Sequence, residues 1–310
     1  MTRAGLVAIV GCPNVGKSTL ANLIVGEKVA IVSPVPQTTR RRIQGIRNLP
    51  GGQIVLVDTP GIHRPRHTMN RWMVAEAGEA IRGVDLIVFV ISAESGAAGS
   101  RRSGVPPRDL LGPGDRHILS LLPTEGKPVL LAINKVDRIR RKSDLLPRVD
   151  SVKDEFHFAE ILLLSALTGE NMQGIPEKLL SYLPEGPPLF PEEFYTDENE
   201  RALSSELIRE KILLRTRQEI PHETCVMIDS FVEKESGLRS IEASILVEKD
   251  SQKKIVIGRG GDLLKKIGTD ARRDLEKLLG GKVFLKLWVK VRPGWRDDER
   301  TLRELGLRGG

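Results

Sequence analysis

Short apolar runs recur along the first 183 residues, at 6–10, 54–57, 86–91, 129–133 and 161–164, and each is built almost entirely from Val, Ile, Leu and Ala. Aliphatic runs of this length without polar alternation are the pattern of strands buried on both faces of a parallel sheet. Amphipathic or turn-rich segments separate them. Residues 1–183 are therefore expected to form a doubly wound α/β domain whose ligand lies outside the carboxyl ends of the strands. Within it, residues 94–115 (ESGAAGSRRSGVPPRDLLGPGD) lack periodicity and are expected to be a surface loop.

The pattern changes at PEGPPLFPEEF, residues 184–194, where prolines and acids can neither continue a helix nor enter a central strand. A linker is expected over 184–199 and a second domain over 200–310. There, 204–217 predicts a helix, 224–232 and 241–247 predict strands, and 262–279 predicts a helix with Leu263, Leu264, Ile267, Ala271, Leu275 and Leu278 on one face. Val283, Leu285, Leu287, Val289 and Val291 alternate with Lys282, Phe284, Lys286, Trp288 and Lys290, the period of a half-buried strand. The pattern alone also reads 254–257 as a strand. This is an α+β module. With aromatics at 4% of the chain, Trp288 and Trp295 are expected to pack rather than to stack on bases.

A length of 310 residues accommodates two such domains. The two cysteines, Cys12 and Cys225, are too few for a thiolate metal site or a disulfide framework, which fits a reducing cytoplasm. The N-terminal apolar run is too short for a signal or membrane segment, so neither export nor insertion is expected. Charge adds more. Residues 250–295 carry twelve Lys or Arg against five acids, leaving 36 of each elsewhere. A concentrated basic region points to a polyanionic partner, nucleic acid first and an anionic membrane surface second.

Directly after the first apolar run stands GCPNVGKS, which fits the phosphate-loop pattern. Gly11 and Gly16 let backbone N–H groups of Asn14, Val15 and Gly16 curl around a phosphate. Lys17 reaches the β- and γ-oxygens, and Ser18, followed by Thr19, offers a hydroxyl to Mg²⁺ at a helix N-terminus. DTPG, Asp58-Thr59-Pro60-Gly61, ends a later strand; its carboxylate can hold a Mg²⁺-bound water while the Gly61 N–H faces a γ-phosphate. At the end of LLAINKVD, Asp137 can accept both the N1 and N2 hydrogens of guanine, Lys135 can lie along the base, and Asn134 can tie this loop to the phosphate loop. Ser165 and Ala166 would support the base, with the Ala166 N–H at guanine O6. Three ordered motifs at strand ends indicate GTP or GDP binding with Mg²⁺.

At this point the chain resembles the translation-factor-related GTPases. SPVPQTTRRRI, residues 33–43, is similar to their first switch, which implies that Gln37, Thr38, Thr39 and Arg40 respond to nucleotide and that Thr39, with Thr38 as the alternative, completes Mg²⁺ coordination. The charge run from Arg40 to Arg42 is expected to be solvated or to face RNA. DTPG is followed by Ile62 rather than the glutamine that orients water in Ras, so intrinsic hydrolysis is expected to be slow. Asn14 matches the asparagine that coordinates K⁺ in potassium-stimulated relatives, which implies catalytic roles for Asn14, Lys17, Thr39 and Gly61; Arg64 and Arg66 are the alternative source of charge.

KKIVIGRGGDLLKKIG, residues 253–268, contains the G-x-x-G of Gly258, Arg259, Gly260 and Gly261 before an amphipathic helix. In KH domains this loop clamps about four single-stranded nucleotides. Lys265, Lys266, Arg272 and Arg273 would extend the RNA surface. The order of both modules, together with SELIREKILLRTRQEIPH and LWVKVRPGWRDDERTLRELG, is similar to the Era family of bacterial ribosome-assembly GTPases. The resemblance implies a Ras-like doubly wound P-loop GTPase domain followed by a type II KH domain, with a short helix rather than a strand at 254–257. It implies a GTP-hydrolysing switch whose KH domain binds the 3′ end of small-subunit ribosomal RNA and assists maturation of the 30S subunit. Rival expectations are an RNA-binding module in which nucleotide binding without turnover is the signal, and a GTPase in peripheral contact with the anionic inner membrane.

Overall fold

The computed structural model describes residues 2–62, 68–95, 109–123, 125–217 and 220–307. By contact density the chain divides into two compact units. The first comprises Met1–Ala30, Thr39–Pro65 and Met73–Asp197; the second comprises Ile31–Thr38, Arg66–Trp72 and Glu198–Gly310.

In the first unit β1 (Arg3–Val10), β3 (Gly52–Asp58), β4 (Leu86–Ser92), β5 (Val129–Asn134) and β6 (Glu160–Leu163) are parallel, and β2 (Ile43–Leu49) runs antiparallel to β3. The sheet order is β2-β3-β1-β4-β5-β6. The apolar runs are the central strands; β4, LIVFVIS, is buried throughout. β2 lacks such a run because IQGIRNL is only partly buried at the sheet edge. Helices α1 (Lys17–Val25) and α5 (Ile175–Ser181) pack on one face with Val7, Ile9, Ile54 and Leu56. Residues 73–82 of α2 (Thr68–Arg82), with α3 (Pro113–Leu119) and α4 (Leu146–Lys153), cover the other with Ala8, Val10, Phe89 and Ile133. The 94–115 segment is less of a loop than its composition suggests. Leu110 and Leu111 are buried in the core and α3 begins at Pro113, while 96–108 lie outside the described residues.

The proline-rich segment after Leu183 lies along the β2–β3 edge. Thr196 Oγ1 donates to Gln44 O at 2.7 Å, Ile46 N donates to Tyr195 O at 2.8 Å, and Asn48 Nδ2 donates to Glu192 O at 2.8 Å. The fully buried Gln53 holds it hardest. Its Nε2 donates to Asn48 Oδ1 and Phe190 O, both at 2.8 Å, and its Oε1 accepts from Leu189 N at 2.8 Å and Phe190 N at 2.9 Å. The segment thereby covers backbone groups that an edge strand would leave open.

The second unit contains α6 (Glu200–Arg215), α7 (Ile220–Glu223), β7 (Cys225–Glu233), β8 (Arg239–Val247), α8 (Asp250–Ile257), α9 (Asp262–Leu278), β9 (Val283–Val291) and α10 (Glu299–Glu304). β7 and β8 are antiparallel and β9 is parallel to β8, in the order β7-β8-β9. Asn199 caps α6 by accepting from Ala202 N at 2.8 Å, which sets the helix start four residues before the apolar pattern does. Residues 254–257 are helical, so the strand reading is corrected. Gln252 and Val256, four apart, are both buried, a helix period in a stretch too short to reveal it. On α9, Ile267, Ala271 and Leu275 are fully buried against the sheet.

Replacing Gln53 with Leu removes four hydrogen bonds, three of them to the backbone of Leu189 and Phe190, so Gln53→Leu is expected to destabilise by about 2–3 kcal/mol in urea unfolding and to open residues 186–192 to protease. Unchanged stability and resistance would show that the edge segment is held by other contacts.

Candidate functional site

The phosphate loop joins β1 to α1, and its glycines are dictated by contact. A Cβ on Gly11 would lie 2.3 Å from Val90 O, and one on Gly16, at φ 101°, would lie 2.3 Å from Asn134 Nδ2. Asn14 is exposed in the left-handed region at φ 63°, and Val15 packs into the core beneath it. Lys17 is buried, its Nζ donating to Gly11 O and Cys12 O at 3.0 Å. Burial pulls its ammonium below the ordinary value, against the opposing charge of Asp58 and the Cys12 thiol. Burial, aided by Asp115, pushes that thiol up to about 12, so Cys12 is no nucleophile here.

Three oxygens converge beside Lys17. Ser18 Oγ donates to Asp58 Oδ2 at 2.7 Å, Thr39 Oγ1 donates to the same oxygen at 3.1 Å, and the two hydroxyls are 2.8 Å apart. Burial pushes the Asp58 carboxyl up, countered by Lys17 and by both hydroxyls. Asp58 Oδ1 is buried with no hydrogen-bond partner among the described residues. Hard oxygen donors around an unsatisfied carboxylate fit a Mg²⁺ ion. Thr38 is elsewhere engaged: its hydroxyl donates to Val35 O at 2.7 Å and lies 2.7 Å from Ser33 Oγ. Gln37 adopts φ 63° beside it. Arg40 is 4% exposed, which corrects the expectation of a solvated charge run, although Arg42 is exposed.

Thr59 Oγ1 donates to Ile9 O at 2.8 Å, fixing the start of the DTPG turn, and Pro60 is buried. Gly61 passes so close to the phosphate loop that a Cβ would lie 2.9 Å from Pro13 N. Ile62 packs into the core with Val10 and Val57. Arg64 and Arg66 lie outside the described residues.

The fourth motif is joined to the first through one amide. Asn134 Nδ2 donates to Val15 O at 2.8 Å, and its Oδ1 accepts from Lys135 N at 2.8 Å and Ala166 N at 2.9 Å. The Ala166 N–H, expected at guanine O6, is thus directed to Asn134 in this structure. Lys135, at φ 66°, donates through Nζ to Asn14 O, and Ser165 Oγ donates to Asp137 Oδ1 at 2.5 Å. That bond orients an exposed carboxylate at the mouth of the site.

In the second unit Gly258, Gly260 and Gly261 have φ of 75°, 60° and 83°, which favour glycine. A Cβ on Gly258 would lie 2.7 Å from Leu263 Cβ. Arg259 is exposed between them. Beside the loop, Gly261, Leu264, Lys265, Gly268, Thr269 and Arg272 face Leu285, Lys286 and Leu287 of β9 across a groove of about 410 Å³.

Residues 6–135 match the family described as 50S ribosome-binding GTPase, and 219–296 match the KH domain family. GTPase Era of Geobacter metallireducens is 48% identical across 98% of this chain and 97% of its own length. That of Lacticaseibacillus paracasei is 46% identical across 98% and 96%. The chain belongs to the Era family of GTPases. It is also similar, at TM-score 0.91 and 38% identity, to a variant of Aquifex aeolicus Era bound to GDP.AlF4⁻, covering 99% of this chain and 100% of that one. Equal similarity over the full length of both chains is found to Era in complex with MgGDPNP and nucleotides 1506–1542 of 16S ribosomal RNA.

Within this Era-family fold the groove separates residues that the sequence groups together. Lys265 and Arg272 line it, but Lys266 and Arg273 do not: Lys266 Nζ pairs with Asp262 at 2.6 Å, and Arg273 borders a second depression with Lys211 and Arg215. One position around a helix turns a side chain by about 100°. Lys286 was missed because it belongs to a distant strand. Trp295 is fully buried, with Nε1 donating to Glu223 O at 3.2 Å, whereas Trp288 is 47% exposed and so does not pack as expected.

Gly16→Ala is expected to push Asn134 off Val15 and weaken GDP binding at least about tenfold, as expected for loss of a buried hydrogen bond. Asn134→Ala should cost a similar factor, and the double variant less than the product of the two. Multiplicative losses in equilibrium titrations would separate the two residues energetically.

Proposed function

We propose that this Era-family GTPase is a GTP-driven switch that grips the single-stranded 3′ end of small-subunit ribosomal RNA through its KH groove and assists maturation of the 30S subunit. The observation that carries the reading is the convergence of Lys17, Ser18, Thr39 and Asp58 at the phosphate loop in a chain that also holds a glycine-loop groove lined by basic residues. The relative bound to MgGDPNP and 16S ribosomal RNA supports the same pair of ligands.

Backbone N–H groups of residues 14–19 at the start of α1 take the β-phosphate, Lys17 bridges the β- and γ-oxygens, and the Gly61 N–H meets the γ-phosphate. Mg²⁺ held by Ser18 and Thr39, and through water by Asp58, would neutralise charge on the transferring phosphoryl group. Asp137, oriented by Ser165, reads the guanine edge, while Lys135, Asn134 and Ala166 frame the base. Thr39 and Gly61 sense the γ-phosphate and relay its loss through the two switches, so hydrolysis releases RNA. With Ile62 in the core, that position offers no side chain to orient water, so unaided hydrolysis is slow. Asn14 would hold a K⁺ ion, which would supply the charge that other GTPases draw from an arginine.

We place its action in the cytoplasm because that is where the ribosomal RNA it is read to bind is found. No helix among the described residues is long and apolar enough to cross a membrane. Peripheral contact with anionic inner-membrane lipid is the rival use of the basic face; liposome sedimentation competed by RNA separates the two.

The deciding experiment is binding of a labelled 3′-terminal RNA and a scrambled control, each with GDP and a nonhydrolysable GTP analogue. Tight, sequence-dependent binding favoured by the analogue is expected; binding indifferent to sequence and nucleotide refutes the switch. If three to four phosphates are neutralised, log affinity falls with log salt at a slope of about −2 to −3, and a slope near zero excludes a backbone clamp. Asp137→Asn is expected to shift preference from guanine to xanthine nucleotides in competition assays. Exchanging K⁺ for Na⁺ should slow phosphate release about tenfold or more, as removal of a transition-state charge does. An unchanged rate removes K⁺ from the mechanism, and no release even with K⁺ and RNA would favour signalling without turnover.

A further inference from the structure

The outer face of β9 presents Phe284, Lys286, Trp288 and Lys290 in alternation, and the two rings are 52% and 47% exposed. The strand is at the sheet edge. Opposite these residues on β8 stand Ser240, Glu242, Ser244 and Leu246, so each ring faces only a serine directly across the sheet. Val232 of β7, 52% exposed, pairs with Ser240 and continues the row beyond Phe284. Lys286 Nζ lies 4.7 Å above the Trp288 ring. The acids on this face are few: Glu242 lies 3.7 Å from Lys286 Nζ and Asp229 3.5 Å from Lys290 Nζ, so each tethers one ammonium beside the rings.

We propose that this face is a second RNA contact, on which unpaired bases flanking the segment held in the KH groove stack against Trp288 and Phe284. The inference rests on the reading of the groove as an RNA site. Three observations favour RNA over a protein or lipid occupant. Lys286 borders the groove and its ammonium lies over the Trp288 ring, so the two surfaces meet at one residue and a strand leaving the groove reaches the indole next. Rings alternating with ammonium groups are the composition of a single-strand platform, where aromatic faces take bases and cations take phosphates. The lysines also interrupt the apolar row, leaving no continuous apolar centre of the kind a protein interface buries. Trp295 shows what packing does to a tryptophan here: it is fully buried and donates its N–H to Glu223 O.

The test uses the full chain and two RNAs of one sequence, a four-nucleotide oligomer filling the groove and the same oligomer extended by six unpaired nucleotides at each end. Trp288→Ala is expected to weaken the extended RNA about tenfold, the loss of one stacked base, while changing the short one less than twofold. Trp288→Phe should recover most of the affinity, and thermal unfolding should match the parent for both. Gly260→Asp is expected to abolish binding of both RNAs, which tests the groove independently. Equal affinity of Trp288→Ala and parent for the extended RNA overturns the proposal and leaves the face to another class of partner. Equal weakening of both RNAs without rescue by Phe also overturns it, because Trp288 then acts through the groove. Undiminished binding by Gly260→Asp refutes the groove reading instead.

Discussion

One buried carboxamide holds the nucleotide site together. Asn134 spends both ends of its side chain on three backbone groups from separate loops, drawing Val15, Lys135 and Ala166 to a single point. That arrangement is possible only because position 16 has no Cβ. Phosphate recognition and base recognition, which the sequence spreads over more than 150 residues, are therefore set by the geometry of one amide. The Asp58 cluster is built similarly: two hydroxyls share one carboxylate oxygen while the other stays unsatisfied in the interior. An interior that leaves such a group unpaired carries a desolvation cost that ligand binding offsets.

The chemistry of the first domain was legible because phosphate loops, DTPG and NKxD are contiguous and sit at strand ends that the apolar runs locate. The choice between Thr38 and Thr39 was not, since adjacent threonines differ only in the direction their backbone gives them. Here Thr38 turns into its own loop and Thr39 toward Ser18. Arg40 illustrates the same limit, as three consecutive arginines look alike on the page and the first of them is buried.

In the KH module the long helix and the alternating strand were visible through strong periodicity, whereas α8 was hidden by its length. IVI within eight residues satisfies a strand pattern as readily as a helix. Base-contact candidates were over-grouped for a related reason. Lys265 and Lys266 are neighbours in sequence, but the helix places only the first on the groove, and the contribution of Lys286 depends on a parallel pairing that composition does not reveal. The aromatic fraction was an average, and it concealed that the four rings of this module are spent differently, Trp295 in the core, Phe231 partly buried against it, and Phe284 and Trp288 on an open sheet face.

The position of β9 as the last strand of the chain also sets an order in which the two surfaces are made. All strands of the nucleotide sheet have been made by Leu163, whereas the RNA groove waits for Leu287, its wall on the last strand of the second sheet. At ribosomal elongation rates of about 5–20 residues per second, that gap is roughly 6–25 s. A nascent chain would thus have every strand of its nucleotide sheet well before it had both walls of the groove.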